Sequence, residues 1–357
     1  VIDTDKADKI ITANTSSELP PNASSSAAQY TQDELVRIFH EDPERLKSLA
    51  DECCRREHGS SVYVRGLIEY SNFCSMDCTY CGIRKSNAGA ARYRMTPDEI
   101  IAAAVRAFGE GYRTFVLQGG EDPFFTDDVL ATIVTNIKKQ CRYEPAITLS
   151  AGVRSYQSYR RLKEAGADRY LLRFETSDPD LYAKLKNGES LSRRLDALRS
   201  IKALGFETGS GFMTGLPGES DETLCSNALL TQKIGCDMVG IGPFIPHPDT
   251  PLAGTAKPDL ERTLRAVALV RMLLPRAHMP ATTAAGSIDN MGREKMLSAG
   301  ANVVMPNIGA VEYKNKYLLY PGKICLDEEY HECESCLAGR IASIGKKIDY
   351  SIGSSLR

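Results

Sequence analysis

The sequence predicts an α/β protein whose main body is a complete (β/α)8 TIM barrel, and three observations carry that expectation. From about residue 62, eight short apolar runs alternate with helical stretches: GLIEYS, TFVLQG, AITLSA, RYLLRFE, TGSGFMTG, MVGIGPF, PATTAAG and ANVVMPN. Polar or glycine residues close each run, which is where parallel barrel strands would aim them at one cavity. A chain of 357 residues can also hold such a barrel as a single domain.

Taken in order, residues 1–30 are rich in Ser, Ala, Asn and Pro and read as a disordered tail. Residues 31–61 form a short helical segment. Thr31-x-x-Glu34 is a capping box that opens one helix, and PERLKSLADECCRREHG is a second helix stopped by Gly59. Adjacent helical residues point about 100° apart, so Cys53 and Cys54 are expected as one core and one boundary thiol. Residues 62–308 are the barrel. Its clearest helix runs from Thr96 to Phe108, with Thr96 as cap, Pro97 at the first helical position and Glu99 completing a capping box. TGSGFMTG is poor in β-branched residues, and periodicity alone does not separate a buried strand from a buried helix. Residues 309–357 form a C-terminal segment that closes the barrel.

With 44 basic and 46 acidic residues the net charge is -2, so no broad field draws nucleic acid or an anionic membrane. The partner expected is a small molecule. Eleven cysteines, no secretory signal and no long apolar run point to a reducing compartment, where clustered thiols bind metal. The expected location is cytoplasmic.

The cysteines then narrow the chemistry. Cys74-x3-Cys78-x2-Cys81 offers three thiolates, enough for three corners of a cubane [4Fe-4S] cluster, with no fourth cysteine nearby. The fourth iron is left for a non-protein ligand. Structural zinc would want four ligands, commonly in Cys-x2-4-Cys pairs. Gly119-Gly120 before Glu121 would let backbone approach a ligand closely, although as a turn after a strand it needs none. Arg169, Arg173 and Glu175 alternate along one run and so share a strand face; aimed into a barrel, three charges would have to bind something or each other, and facing outward they would be an ordinary solvated edge. Near the end, Cys325-x7-Cys333-x2-Cys336 with His331 inside it could hold zinc or a second iron-sulfur cluster. His247, in a proline-stiffened loop, is expected to fix that loop.

The cysteine spacing, with an aromatic residue before the third cysteine, resembles the radical S-adenosylmethionine (SAM) superfamily. Within it the chain is similar to the [FeFe]-hydrogenase maturase HydE family from about residue 62 to 340. The resemblance rests on YSNFCSMDCTYCGIR, RYRMTPDEI, VLQGGEDP, AGADRYLLRFETSDPDLY, GFMTGLPG, DMVGIGPFIPHPDTPLA, PATTA, GANVVMPN and YLLYPGKIC. Biotin synthase shares the cluster spacing and the barrel, and methylornithine synthase is nearer in its core.

The resemblance implies a radical SAM barrel with SAM beside the cluster, whose reduction releases a 5'-deoxyadenosyl radical. It implies SAM contacts from Tyr80, Gly119, Gly120, Glu121, Glu175, Arg194, Met213 and Ile241, and a substrate cavity lined by Thr148, Arg169, Arg173, Thr282, Thr283, Tyr317 and Tyr320. Arg173 and Tyr320 are the expected catalytic pair. The implied substrate is an iron-cysteine complex carrying carbonyl and cyanide, delivered by the companion maturase HydG, with the radical acting at the cysteine sulfur. The product would pass toward HydF, and a reductant protein would supply electrons. The second cysteine set matches an optional [2Fe-2S] or [4Fe-4S] cluster without a catalytic role. Some eukaryotic anaerobes keep this maturase in a hydrogenosome or plastid. The competing expectation is a radical SAM mutase or sulfur-chemistry enzyme acting on an amino acid.

Overall fold

The computed structural model describes residues 30–255, 258–327 and 330–356. The tail expected over residues 1–30 lies, except for Tyr30, outside the described residues. Among the described residues two helices come first, α1 (Gln32–Glu41) and α2 (Pro43–His58). Thr31 and Glu34 form the reciprocal capping box, and α2 ends at Gly59 with a φ of 64° that favours glycine. Both Cys53 and Cys54 are buried, a correction to the expected core-and-boundary split. The reason is that α2 packs between two neighbours: Cys53 donates toward the Arg271 carbonyl and Cys54 toward that of Ala301.

The barrel is built from β1 (Ser61–Val64), β2 (Gly66–Ser71), α3 (Pro97–Gly109), β3 (Thr114–Gly119), α4 (Asp127–Gln140), β4 (Ala146–Ser150), α5 (Tyr156–Glu164) and β5 (Arg169–Leu171). It continues through α6 (Pro179–Leu185), α7 (Leu191–Ala203), β6 (Glu207–Thr214), α8 (Asp221–Ile234), β7 (Met238–Pro243), α9 (Leu260–Leu273), α10 (Thr283–Ile288), α11 (Gly292–Ser298) and β8 (Val303–Val304). Strands β2 to β7 pair in sequence order, all parallel. The ring closes through extended backbone at 278–281. Met238 bridges His278, Pro280 bridges Val303, and Leu67 bridges Asn307. The closing hydrogen bonds are ordinary, for example Val239 N to His278 O at 2.9 Å, Ala281 N to Val303 O at 2.8 Å and Leu67 N to Pro306 O at 2.9 Å.

Helix α3 shows why the helices sit where they do. Thr96 and Glu99 satisfy the first free amides, Pro97 starts the turn, and Ile100, Ile101, Ala103, Ala104 and Ala107 form the buried stripe. That stripe packs on strands whose alternate residues are just as dry, among them Phe115, Leu117, Ile147 and Leu149.

Three runs depart from a plain strand reading. TGSGFMTG forms a full strand because Gly211 lets β6 approach β7: a Cβ there would collide with the Gly240 carbonyl, and its φ is 149°. PATTAAG is extended only at its start, since Thr282 caps α10 by accepting from Ala285 N and the small residues after it have little strand preference. RYLLRFE is a strand only to Leu171, and the chain then turns through Glu175 at a φ of 67°.

The C-terminal segment adds α12 (Val311–Lys314), α13 (Tyr330–Ser343) and β9 (Lys347–Asp349). Strand β9 pairs with β1, and residues 352–355 cover the amino-terminal end of the barrel. Arg169 is spent there. It is fully buried, pairs with Glu207 at 2.6 Å, and donates to the carbonyls of Ile352 at 2.9 Å and Gly353 at 3.0 Å and to Thr114 at 3.5 Å.

Arg169→Met should therefore act on stability. Breaking a buried ion pair by removing one partner costs on the order of 3–5 kcal/mol. The urea midpoint should fall, and limited proteolysis should cut the chain after about residue 350. An unchanged midpoint with a protected tail would show that the plug does not depend on Arg169.

Candidate functional site

The site is built at the carboxyl ends of the strands by the segment that follows β2. Residues 72–92 carry Cys74, Cys78 and Cys81, and one guanidinium organises them. Arg92 donates to the carbonyls of Asn72, Ile83, Arg84 and Asn87 at 2.5 to 3.1 Å. Asn72 joins the loop to the C-terminal segment by donating to Lys316 O at 2.7 Å. Asp77 is held by Arg84 at 2.6 and 2.8 Å and by Ser86, and chiefly the Arg84 hydrogen bond lowers its pKa to about 2.

Gly119 and Gly120 bring the end of β3 against this loop. A Cβ at Gly119 would strike the Tyr70 ring, and one at Gly120 would strike the Phe73 carbonyl and crowd Cys74 at 2.9 Å. The close approach that the glycines permit is thus to the protein's own cysteine loop. Glu121 follows, its amide pointing to the Cys74 sulfur at 3.3 Å and its carbonyl accepting from Ser75 N at 2.9 Å. After Cys81, Gly82 leaves no room for a side chain beside His247 and the Leu318 carbonyl. His247 also accepts from Asp249 N at 3.1 Å, so it holds its own loop and abuts the cysteine loop.

Beside the cysteines lies a cluster of buried charge. Glu175 approaches Arg173 at 3.0 Å, Lys186 at 3.9 Å and the Tyr80 hydroxyl at 3.3 Å. Burial opposes its ionisation, yet Arg173, Lys186 and Arg194 outweigh burial and hold its pKa below the ordinary range. Arg194 is anchored by Tyr182 at 2.7 Å and the Arg173 carbonyl at 3.2 Å, and lies 3.7 Å from Glu121. Met213 and Ile241 are buried on β6 and β7, and Met213 N donates to the Glu175 carbonyl.

Lys186 was not anticipated from the sequence. Its ammonium donates to the Tyr80 hydroxyl at 2.6 Å and lies 3.5 Å from the Cys78 sulfur. Burial works against its charge, but Cys78, Glu175 and Tyr182 prevail over burial and Arg194, and its pKa is raised. The only cue in the sequence is a lysine just past a short helix, a common placement at helix ends.

The donor set suits an iron-sulfur cluster. Burial raises the Cys74 thiol and pushes Cys81 up to about 12, so these sulfurs are neutral thiols until a metal replaces their protons. Amide or ammonium donors already point at all three sulfurs.

Deeper in the barrel, Nε and Nη2 of Arg173 and Oγ1 of Thr148 are buried without a hydrogen-bond partner. Thr148 faces inward with Arg169, its register partner across β4 and β5. Arg173 and Arg169 do not meet, because Arg169 is consumed at the other end of the barrel. Thr282 and Thr283 start α10, with Thr282 facing Gly242. In the closing segment Tyr317 is buried and Tyr320 half-buried; burial raises both phenols, and they share hydrogen bonds with Gln118 and Ser287 respectively. A second unanticipated group is Lys323, which pairs with buried Glu69 at 2.7 Å, and Asn307 donates to the same carboxylate.

Of the second cysteine set, Cys325 is half-buried with a φ of 60° and Cys336 is exposed on α13. The side chains of Cys333 and His331 lie outside the described residues. Among the described residues, no helix is long and apolar enough to cross a membrane.

Comparison with known proteins agrees with this geometry. Residues 68–230 match the Radical SAM superfamily, and residues 241–323 match the Biotin and Thiamin Synthesis associated domain. The chain is 49% identical over 304 residues to the [FeFe] hydrogenase maturase subunit HydE of Thermotoga maritima, covering 85% of this chain and 86% of that one. It is 30% identical to 3-methylornithine synthase of Methanosarcina barkeri over 73% of each chain. In fold, it resembles crystalline methylornithine synthase with a TM-score of 0.78 and 24% identity, covering 96% of this chain and 97% of that chain. It also resembles the hydrogenase maturase HydG from Carboxydothermus hydrogenoformans, with a TM-score of 0.75 at 17% identity, covering 97% and 79%. On the cysteine loop, the barrel and the identity to HydE over most of both chains, this protein belongs to the [FeFe]-hydrogenase maturase HydE family of radical SAM enzymes.

Proposed function

We propose that this enzyme acts on a small anionic iron complex, an iron-cysteine species carrying carbonyl and cyanide, at the cysteine sulfur. The observation that carries the reading is Arg173, a half-buried guanidinium beside the cysteine loop whose Nε and Nη2 form no hydrogen bond with the protein, although Nη2 lies 3.0 Å from the Glu175 carboxylate. A buried donor without an acceptor is unfavourable by about 1–3 kcal/mol, more when charged, and an anion would relieve that penalty. A guanidinium suits a carboxylate because it can offer two parallel hydrogen bonds.

Cys74, Cys78 and Cys81 would hold the [4Fe-4S] cluster. When bound, the cluster and SAM supply a 5'-deoxyadenosyl radical. Tyr80, Glu175, Arg194, Met213 and Ile241 surround the place beside the cysteines where SAM would lie. Glu175 offers a carboxylate fixed by Arg173 and Lys186, and Arg194 offers a guanidinium fixed by Tyr182. Glu121 would position the neighbouring backbone through Gly119 and Gly120. On the substrate side Thr148, Arg173, Thr282, Thr283, Tyr317 and Tyr320 would orient the complex. Arg169 has no free donor to contribute and supports the barrel below.

In this reading HydG supplies the substrate, HydF receives the product and a separate protein provides electrons. A second cluster at Cys325, Cys333 and Cys336 would stand outside the central reaction. The likeness to methylornithine synthase favours one competing substrate class, an amino acid alone, and the test should include it.

The test is anaerobic incubation of reconstituted enzyme with SAM, dithionite and the HydG product, read by EPR beside a coupled hydrogenase maturation assay. Conversion of the iron complex with maturation of hydrogenase is expected. Turnover of free amino acids with no change in the iron complex would overturn the proposal.

Two substitutions separate cluster from substrate. Cys78→Ala should abolish both the reducible cluster signal and its change on adding SAM, and cleavage to 5'-deoxyadenosine should vanish. Persistent cleavage in that variant would remove the cluster from Cys78.

Arg173→Leu should leave slow SAM cleavage intact while weakening the substrate. Removing one partner of a buried charge pair costs on the order of 2–5 kcal/mol, which corresponds to roughly 30-fold or more in affinity. Normal maturation by this variant would mean that Arg173 does not hold the substrate.

A further inference from the structure

We propose that Lys186 is a positioning residue for the cluster's electron affinity: its ammonium, delivered to the Cys78 sulfur, favours the reduced state. The proposal rests on the reading that Cys74, Cys78 and Cys81 bind a [4Fe-4S] cluster, and it adds a residue that none of the family motifs contains.

The geometry supports it at three levels. First, the helix end is tied to the cysteine loop. Thr79 N donates to the Leu185 carbonyl at 2.9 Å, and the Thr79 hydroxyl reaches the Lys184 and Leu185 carbonyls at 3.3 Å. Second, α6 is stopped firmly at this point. Asp178 caps its start, and the Lys186 amide closes its end on the Tyr182 carbonyl. The backbone of Lys186 is therefore fixed relative to Cys78. Third, the side chain is 6% exposed and its head is shared between the Cys78 sulfur at 3.5 Å and the Tyr80 hydroxyl at 2.6 Å.

Reduction adds one negative charge to the cluster and its thiolates. A hydrogen-bonded cation next to one thiolate stabilises that added charge, and burial keeps salt from screening it. The groups facing Lys186 are Glu175, Arg194, Tyr182, Tyr80 and Cys78. Glu175 opposes the effect, but it lies 3.9 Å from Nζ and is itself offset by Arg173 and Arg194. Lys186 also approaches the Tyr80 ring at 5.0 Å, so the same cation holds the aromatic residue that precedes Cys81.

The experiment compares wild type, Lys186→Met and Lys186→Arg after anaerobic reconstitution, by dithionite and viologen titration monitored by EPR without SAM. Lys186→Met should shift the reduction equilibrium at least tenfold toward the oxidised cluster, about 59 mV for one electron, and Lys186→Arg should restore most of it. An unchanged midpoint in a fully loaded Lys186→Met enzyme would overturn the proposal. So would an unchanged midpoint with weakened SAM affinity, which would make Lys186 a SAM contact instead. Should Lys186→Met fail to fold or to load iron, wild type grown on lysine labelled with 15N at the ε position decides the matter. The reduced cluster should then show a weak 15N coupling, and its absence would overturn the proposal. Failure of wild type itself to form a [4Fe-4S] cluster would instead remove the underlying reading.

Discussion

A carboxylate buried among three cations governs the architecture of the mouth. Glu175 lies in dry surroundings, where an isolated ionised carboxylate would be strongly unfavourable, and Arg173, Lys186 and Arg194 make its charge tolerable. These partners come from different elements: Arg173 from the chain just past β5, Lys186 from the end of α6 and Arg194 from α7. Their convergence coincides with the end of β5. Past Leu171 the chain leaves regular strand geometry and reaches Glu175 at a φ of 67°, where the carboxylate meets the Tyr80 hydroxyl of the cysteine loop. That conformation is unfavourable for a residue with a Cβ and persists where surrounding contacts demand it. Here the Glu175 amide donates to Gly211 O and its carbonyl accepts from Met213 N, which fixes the turn from both sides.

The cysteine loop obeys a related constraint. Three sulfurs must face one point, while a long irregular segment has many backbone groups to satisfy. Arg92 takes four of its carbonyls, and Asn72, Asn87 and Asp77 take further groups. The loop is consequently ordered by its own residues and has little conformational freedom left to lose when a ligand arrives. The glycines at the end of β3 complete this arrangement by admitting the loop, since any side chain at Gly120 would displace Phe73 and Cys74.

Some of this was legible in the sequence because the signals are local. Capping boxes at Thr31 and Thr96 depend on residues three apart, and both form. The cysteine spacing is legible because cluster chemistry restricts it. Other features depend on depth within the barrel, which a period of two cannot encode. Arg169 and Arg173 share one face in the pattern, yet they serve opposite ends. PATTAAG reads as a strand from its apolar character, while Thr282 acts as a helix cap within it. Lys186 gave no signal, because a lysine after a short helix has the same appearance whether it meets water or sulfur.

Those two arginines differ in how the protein uses them. At the amino-terminal end of the barrel, Arg169 meets Glu207, Thr114 and two carbonyls of the C-terminal tail, and every contact is supplied by the protein. A saturated guanidinium of this kind is a structural device, and a ligand would have to displace chain to reach it. Four residues later, Arg173 approaches Glu175 at 3.0 Å in an alignment that forms no hydrogen bond, and Nε and Nη2 stay unmatched. The ion pair with Glu175 offsets part of the cost of holding this half-buried cation, and the two unmatched donor atoms leave the rest. The penalty is understandable where a charged ligand completes the site, because binding then relieves a strain that folding imposed. The closing segment strengthens the asymmetry. Tyr317, Tyr320 and Lys323 bury polar groups above the barrel interior, while residues 352–355 seal the opposite end with backbone carbonyls. Unmatched donors alone do not mark the site, since Arg65 at the Arg169 end also keeps Nε and Nη2 without hydrogen bonds; Arg173 is set apart by its place beside Glu175 and the cysteine loop.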